Sequence, residues 1–106
     1  MDTSQLLKGV LDLAVLAVLA KADGYGYEVV RALRAAGLQD VGDASAYGTL
    51  RRLYGAGLLT SYVVPSEEGP HRKYYSLNDR GRSRLAEATA QWRAFATTMD
   101  GLVGAV

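Results

Sequence analysis

The chain is predicted to form a mainly helical domain with one small β-hairpin, of the mainly α (α+β) class. Three stretches carry apolar residues at helical spacing: residues 6–22, 25–36 and 43–56. Two segments rich in valine, leucine and tyrosine follow, residues 58–64 and 72–77, joined by the turn-forming sequence PSEEGPH. That pattern is typical of an antiparallel hairpin. A long final helix is predicted after Asn78, which is a favourable N-cap residue.

The composition indicates one folded domain without redox or metal chemistry. The chain has 106 residues, 49% of them hydrophobic and 22% charged, and it has no cysteine. The lack of cysteine excludes disulfides, thiolate metal sites and a cysteine nucleophile. The longest apolar run, residues 13–20, is too short to span a bilayer, so we expect a cytoplasmic protein that does not bind membranes.

Catalytic sites are not indicated by any motif in the sequence. The single histidine, His71, lies at the edge of a turn, and no nucleophile or carboxylate is patterned around it. One histidine without cysteine does not make a metal-ligand set. The stretch GYGYE has neither the lysine nor the spacing of a phosphate-binding loop. We therefore expect a protein that is not an enzyme and needs no cofactor.

The charge is unevenly distributed along the chain. The net charge is only +1, but residues 44–84 hold seven basic and three acidic side chains, a net charge of +4, which leaves −3 for the remainder. Such a concentration favours an anionic partner for this segment. Solvated surface charge is the alternative interpretation, and the distribution alone does not decide between them.

The first two helices have different patterns. The first is apolar nearly all round in its second half, which is typical of a helix buried on every side. In so small a chain this suggests that a second subunit covers part of it. The sequence DGYG at 23–26 separates it from the second helix, for which Asp23 is the predicted cap.

The third helix has one apolar face and an unusual outer face. At about 100° per residue, Ala46, Leu50 and Leu53 share the inner side. The opposite side holds small and basic residues: Ala44, Ser45, Gly48, Arg51, Arg52 and Gly55. Glycine at position 48 costs about 1 kcal/mol of helix propensity, but it would let the backbone approach a duplex closely.

Three helices followed by a hairpin are the order of a winged helix-turn-helix, in which the third helix enters the major groove of DNA. Arg51 and Arg52 would donate to phosphate or guanine, and Ser45 and Thr49 offer short hydroxyl groups. In the wing, the basic residues next to the loop would reach the minor groove or phosphates: His71, Arg72 and Lys73.

The final helix carries a heptad seam with spacing 3-4-3-4-3-4: Leu85, Ala88, Trp92, Phe95, Met99, Leu102 and Val106. A stripe this narrow suits a partner helix, so we predict an intermolecular seam. Packing onto the first helix of the same chain is the alternative. If the seam joins two subunits, Trp92 and Phe95 could line an apolar site for a flat ligand.

Taken together, five segments resemble the PadR family of transcriptional regulators, in its shorter form with one C-terminal helix: LLKGVLDLAVLAVLA, GYGYEVVRAL, AYGTLRRLYGAGLL, GPHRKYYSLNDRGR and QWRAF. The resemblance implies a homodimer that represses promoters and is often released by a small aromatic or drug-like effector. It implies a DNA-binding domain at 1–77 and a dimerisation helix at 78–106. The first helix, through Leu7 and Leu11, would assist that dimer.

The resemblance also assigns DNA contacts by position: Tyr25 and Tyr27 in the second helix, Ser45, Tyr47, Arg51 and Arg52 in the third, and Arg72 and Lys73 in the wing. The chain departs from the family where Gly48 replaces a usual proline and Tyr54 a usual acidic residue. These departures affect base contacts more than the fold.

The sequence therefore predicts a homodimeric DNA-binding regulator, a repressor that recognises an inverted repeat. Two alternatives stay open at this point. One is a winged-helix module that binds proteins and has no DNA role. The other is a sensor of drug-like ligands in which DNA binding is secondary.

Overall fold

Four helices and three strands make up residues 3–104, the part of the chain that the computed structural model describes. The helices are α1 (Ser4–Lys21), α2 (Gly26–Ala35), α3 (Asp43–Gly55) and α4 (Asp79–Val103). The strands are β1 (Gly24–Tyr25), β2 (Leu59–Val64) and β3 (Arg72–Leu77). The predicted helix-turn-helix, wing and long last helix are confirmed: α1, α2 and α3 lie within two residues of their predicted bounds, and α4 begins directly after Asn78.

The sheet has three strands, where the sequence predicted two. Its order is β1-β3-β2, and both pairs are antiparallel. Tyr25 lies opposite Tyr74, and the β2–β3 register runs from Leu59 opposite Leu77 to Val64 opposite Arg72. A two-residue strand has no alternation of its own. Only its pairing with β3 makes the DGYG break a strand.

The start of α2 also differs from the prediction. Its N-cap is Tyr25, not Asp23, and the Tyr25 N–H donates to the Glu28 carboxylate over 3.3 Å. Asp23 instead accepts a 2.7 Å hydrogen bond from the Tyr62 hydroxyl, and this bond raises the pKa of Tyr62. The cap of α2 therefore lies two residues later than predicted, and the Asp23 side chain links the segment before α2 to β2.

The core lies between α1, α2, α3 and the base of the sheet. Its largest fully buried side chains are aliphatic: Val15, Leu16, Leu19, Val29, Leu33 and Leu50. Burying each such side chain contributes about 1.5–3 kcal/mol. This core holds α3 from one side only, so the opposite face of α3 is left to solvent.

The first turn of α4 is locked against the base of the wing. The Asn78 side chain caps α4 by accepting from the Gly81 N–H over 2.8 Å, and its amide donates to the Gly57 carbonyl over 3.0 Å. A Cβ at Gly81 would overlap the carbonyl of Leu58 and the side chain of Leu77. The position therefore requires glycine.

The far half of α4 extends beyond the core. The described residues measure 57 × 31 × 20 Å, and their radius of gyration is 15.3 Å, against about 13 Å for a compact chain of this length. Trp92, Phe95 and Leu102 are 45%, 57% and 67% exposed. Val106, the last member of the predicted heptad, lies outside the described residues. No helix within residues 3–104 is long and apolar enough to cross a membrane.

Candidate nucleic-acid interface

The outer face of α3 is open to solvent. Arg51 lies on this face and is exposed. Gly48 lies one turn before it, and only the Arg51 guanidinium comes within 4 Å of the place where a Cβ would stand. The helix therefore offers one exposed cation beside a half-buried glycine, where the sequence predicted two cations, Arg51 and Arg52, on this face.

One flank of α3 faces α2 and the wing. The ring of Tyr47 packs so closely on Gly26 that a Cβ there would overlap it. The Lys73 ammonium lies 4.8 Å from the centre of the Tyr54 ring and 5.3 Å from that of Tyr75. Tyr47 thus connects α3 to α2, and Tyr54 connects α3 to β3.

The other flank of α3 faces α1, and Arg52 lies on it. Its guanidinium makes two hydrogen bonds to the Asp12 carboxylate, Nη1 to Oδ2 at 2.8 Å and Nη2 to Oδ1 at 2.6 Å. These bonds hold the pKa of Asp12 below its usual range, and the charge of Arg84 on α4 lowers it further. Arg52, unlike its neighbour Arg51, is already paired within the domain.

Thr49 is not on the exposed face with Ser45. It is 5% exposed, and its hydroxyl donates to the Ser45 carbonyl over 2.8 Å. The hydroxyl is therefore directed to the backbone of its own helix, as is common for threonine within helices. Ser45 itself is exposed. Of the two short hydroxyl groups predicted for contact with DNA, the structure brings only Ser45 to the surface.

Arg34 holds the turn between α2 and α3, a role that the sequence did not indicate. Its guanidinium donates to the Val41 carbonyl over 2.9 and 3.2 Å and to the Asp43 carboxylate over 3.0 Å. It therefore joins the end of α2 to the first turn of α3. The available signal was an arginine in the last turn of one helix and an aspartate at the start of the next.

The basic residues of the wing point in two directions. Successive side chains alternate across a strand, so Arg72 and Lys73 lie on opposite faces of β3. The Arg72 guanidinium is 4.8 Å from the centre of the Tyr25 ring, and that ring stacks on Tyr27 at 6.2 Å. His71 is exposed just before β3. Arg72, Tyr25 and Tyr27 therefore form one continuous surface at the start of α2.

The predicted dimer residues divide into two groups. Leu7 is buried in the core, and Leu11, Leu85 and Ala88 are partly buried. The exposed group is on the outer half of α4: Trp92, Phe95, Met99 and Leu102. The rings of Trp92 and Phe95 lie 6.5 Å apart. The first members of the seam thus pack within the chain, while the later ones form an uncovered apolar stripe.

Comparison with known proteins finds the same arrangement in transcriptional regulators. Residues 15–87 match the family described as "Transcriptional regulator PadR-like family". A PadR-like regulator from Bacillus cereus strain ATCC 14579 is 34% identical, with 93% of this chain and 96% of that one covered and a TM-score of 0.82. A Streptococcus transcriptional regulator is 36% identical, with 92% and 96% covered and a TM-score of 0.81. A PadR-family regulator from Eggerthella lenta DSM 2243 is 32% identical, with 95% and 88% covered and a TM-score of 0.85.

Proposed function

The chain belongs to the PadR-like family of transcriptional regulators, and we propose that it is a repressor that binds an inverted-repeat operator as a homodimer. The observation that carries the proposal is the exposed face of α3. Arg51 stands there without an ion-pair partner among residues 3–104, next to Gly48, where a side chain would meet only Arg51. A guanidinium so placed can donate to a guanine edge or to phosphate.

The proposed DNA surface extends from α3 to the wing and the start of α2. On α3 it comprises Arg51 and Ser45. The aromatic and basic residues that flank them complete the surface: Tyr25, Tyr27, Tyr47, His71, Arg72 and Lys73. In a helix-turn-helix, the recognition helix contacts bases while the flanking segments contact the backbone. The acidic wing turn at Glu67 and Glu68 would be repelled by phosphate, so β3 supplies the contact of the wing.

The apolar stripe on α4 supports the homodimer. We propose that residues 1–77 bind DNA and that residues 78–106 dimerise, with α1 assisting. A two-fold dimer would place its two α3 helices about 34 Å apart, one turn of B-DNA, and would therefore read two inverted half-sites. Large exposed apolar residues in a row mark an interaction surface, because exposing apolar surface to water is unfavourable in free energy.

Arg51→Ala tests the DNA assignment. We expect it to weaken binding to a specific duplex by about tenfold or more, because a guanidinium contact is lost in each half-site. The probe is a fluorescein-labelled duplex selected by the unaltered protein from a random-sequence library, and the readout is fluorescence anisotropy. Arg93→Ala, which removes the same charge from α4 away from the proposed surface, is the matched control.

Full retention of affinity by Arg51→Ala would contradict the assignment of α3. Absence of any sequence preference in the unaltered protein would favour the alternative, a winged-helix module that binds other proteins. Specific binding that falls steeply with salt supports the regulator, because Lys and Arg side chains then replace counterions on the phosphates.

A small aromatic effector is the last part of the proposal. Trp92 is the only tryptophan, and with Phe95 it offers two aromatic rings on the stripe where two subunits would meet. Planar aromatic compounds should therefore quench Trp92 fluorescence and release the selected duplex at the same concentrations. Quenching without any change in DNA binding would favour a ligand sensor whose DNA role is secondary.

A further inference from the structure

A cleft of about 560 Å³ separates the first half of α1 from the first half of α3. Small residues line its α3 wall, among them Ala44, Ser45 and Gly48. Apolar packing is therefore sparse where these two helices meet on this side. Of the buried residues of α3, Thr49 lines this cleft, while Ala46, Leu50 and Leu53 belong to the core.

Two polar links span the cleft region. At one side Arg52 of α3 holds the Asp12 carboxylate of α1 in the bidentate pair. At the other, the backbone N–H and the hydroxyl of Thr3 donate to Asp40, just before α3, over 2.9 and 3.2 Å. The position of α3 relative to α1 is thus held by hydrogen bonds where close packing is missing.

The direction of the Arg52 side chain separates it from Arg51. The two lie about 100° apart around the helix axis, so only one can point straight out of the face opposite the core. Arg51 does so, and Arg52 turns toward α1. Both terminal nitrogens of Arg52 are bonded to Asp12, in the fork geometry in which a guanidinium matches a carboxylate.

We propose that Arg52 is a positioning residue, which with Asp12 fixes the orientation of α3 on α1 and does not itself contact DNA. This inference rests on the proposed DNA-binding function and adds a role for a residue of α1. The positive charge of Arg84 on α4 also lowers the pKa of the Asp12 carboxyl, less than the Arg52 bonds do.

The experiment compares three single variants with the unaltered dimer: Asp12→Asn, Arg52→Ala and Arg52→Lys. Binding is measured on the selected duplex and on a scrambled one over a range of salt concentrations. We expect each variant to weaken specific binding by about fivefold, since an exposed pair is weak but the dimer contains two copies. Binding to the scrambled duplex and the salt slope on the selected duplex should stay unchanged, because no phosphate contact is lost.

Arg52→Lys is the sharpest of the three. Lysine keeps the positive charge but cannot form the bidentate pair, so a positioning role predicts a loss similar to that of Arg52→Ala. A direct phosphate contact would instead be largely retained by lysine. The double variant Asp12→Asn/Arg52→Ala should bind no more weakly than either single variant, because both remove the same link.

The contrary result is equally distinct. If Asp12→Asn binds as tightly as the unaltered protein or more tightly, while Arg52→Ala lowers the salt slope by about 1 per protomer, Arg52 contacts phosphate and the inference fails. The proposed function would survive that result, provided Arg51→Ala still weakens binding. If the unaltered protein showed no preference for the selected duplex over the scrambled one, both the proposed function and this inference would fail. Thermal unfolding of each variant checks that it is folded.

Discussion

Arg51 and Arg52 show how one residue type takes two roles at adjacent positions. Arg51 is free of ion pairs within the described residues, whereas Arg52 is bonded to a carboxylate 40 positions earlier in the chain. Helix geometry causes the difference, because a step of about 100° turns one side chain to solvent and the other to α1. Position around the helix axis, and not residue type, therefore separates a candidate DNA contact from an internal link.

At this scale we predict that Arg52→Ala raises the pKa of Asp12 toward its ordinary value of about 3.9, because the hydrogen bond that lowers it is lost. A carboxyl group with a lowered folded-state pKa adds stability above its unfolded pKa and loses it as pH falls through the folded value. The stability gap between the two proteins should thus be constant above about pH 5 and shrink in more acid solution.

Carbon-detected NMR titration of the Asp12 carboxyl, with urea unfolding at several pH values, measures both quantities. Arg51→Ala is the matched control, since it removes an adjacent arginine that makes no bond to Asp12. An Asp12 pKa that Arg52→Ala leaves unchanged would show that the pair does not persist in solution.

At the scale of elements, the turn between α2 and α3 depends on a side chain and not on packing alone. Arg34 donates to the Val41 carbonyl and to Asp43, and so connects the two helices of the motif across the loop. Val41 is buried, so its carbonyl would have few other donors. The link between α2 and α3 thus depends partly on one guanidinium.

We expect Arg34→Ala to lower the free energy of unfolding by about 1 kcal/mol, because the Val41 carbonyl loses its donor while the exposed ion pair adds little. Urea unfolding at a fixed protein concentration measures the change. Arg31→Ala serves as the control. Arg31 is an exposed arginine one turn earlier, and its guanidinium lies over the Tyr27 ring, 5.7 Å from the ring centre. It should cost about 0.5 kcal/mol. If both variants lowered the free energy of unfolding equally, the Arg34 bonds across the turn would have no special role.

At the scale of the whole molecule, one chain leaves a row of large apolar side chains uncovered. The second half of α4 carries Trp92, Phe95, Met99 and Leu102 in a row, and Leu6 of α1 is also exposed. A chain of 106 residues can bury only part of its apolar surface in one core. A second copy that packs along α4 would cover the row.

Phe95→Glu should therefore raise the dissociation constant of the dimer by about 100-fold or more, because it would bury an unpaired charge in each half of the seam. Sedimentation velocity over a range of concentrations measures the shift to monomer. Thr97→Glu places the same charge on the opposite side of α4 and should leave the dimer unchanged. Identical sedimentation of both variants would exclude the seam as the interface.

Much of the fold could be predicted because its signals are local. The apolar periodicity of α1 to α3, the turn formers of the wing and the cap at Asn78 each lie within one element and depend only on its own residues. The two-residue β1 could not be predicted, because its strand conformation exists only through pairing with Tyr74 and Tyr75. Its presence also displaced the cap of α2 from Asp23 to Tyr25.

The candidate site was predicted less completely than the fold. The sequence by itself determined which residues of α3 face away from the core, Arg51 among them, because helical geometry needs no knowledge of neighbours. Only the tertiary structure decided that the Thr49 hydroxyl turns inward, that Arg34 clamps the turn and that Arg52 is held by Asp12. Each of these depends on which group from a distant part of the chain lies within hydrogen-bonding distance, and periodicity within one helix carries no information about that.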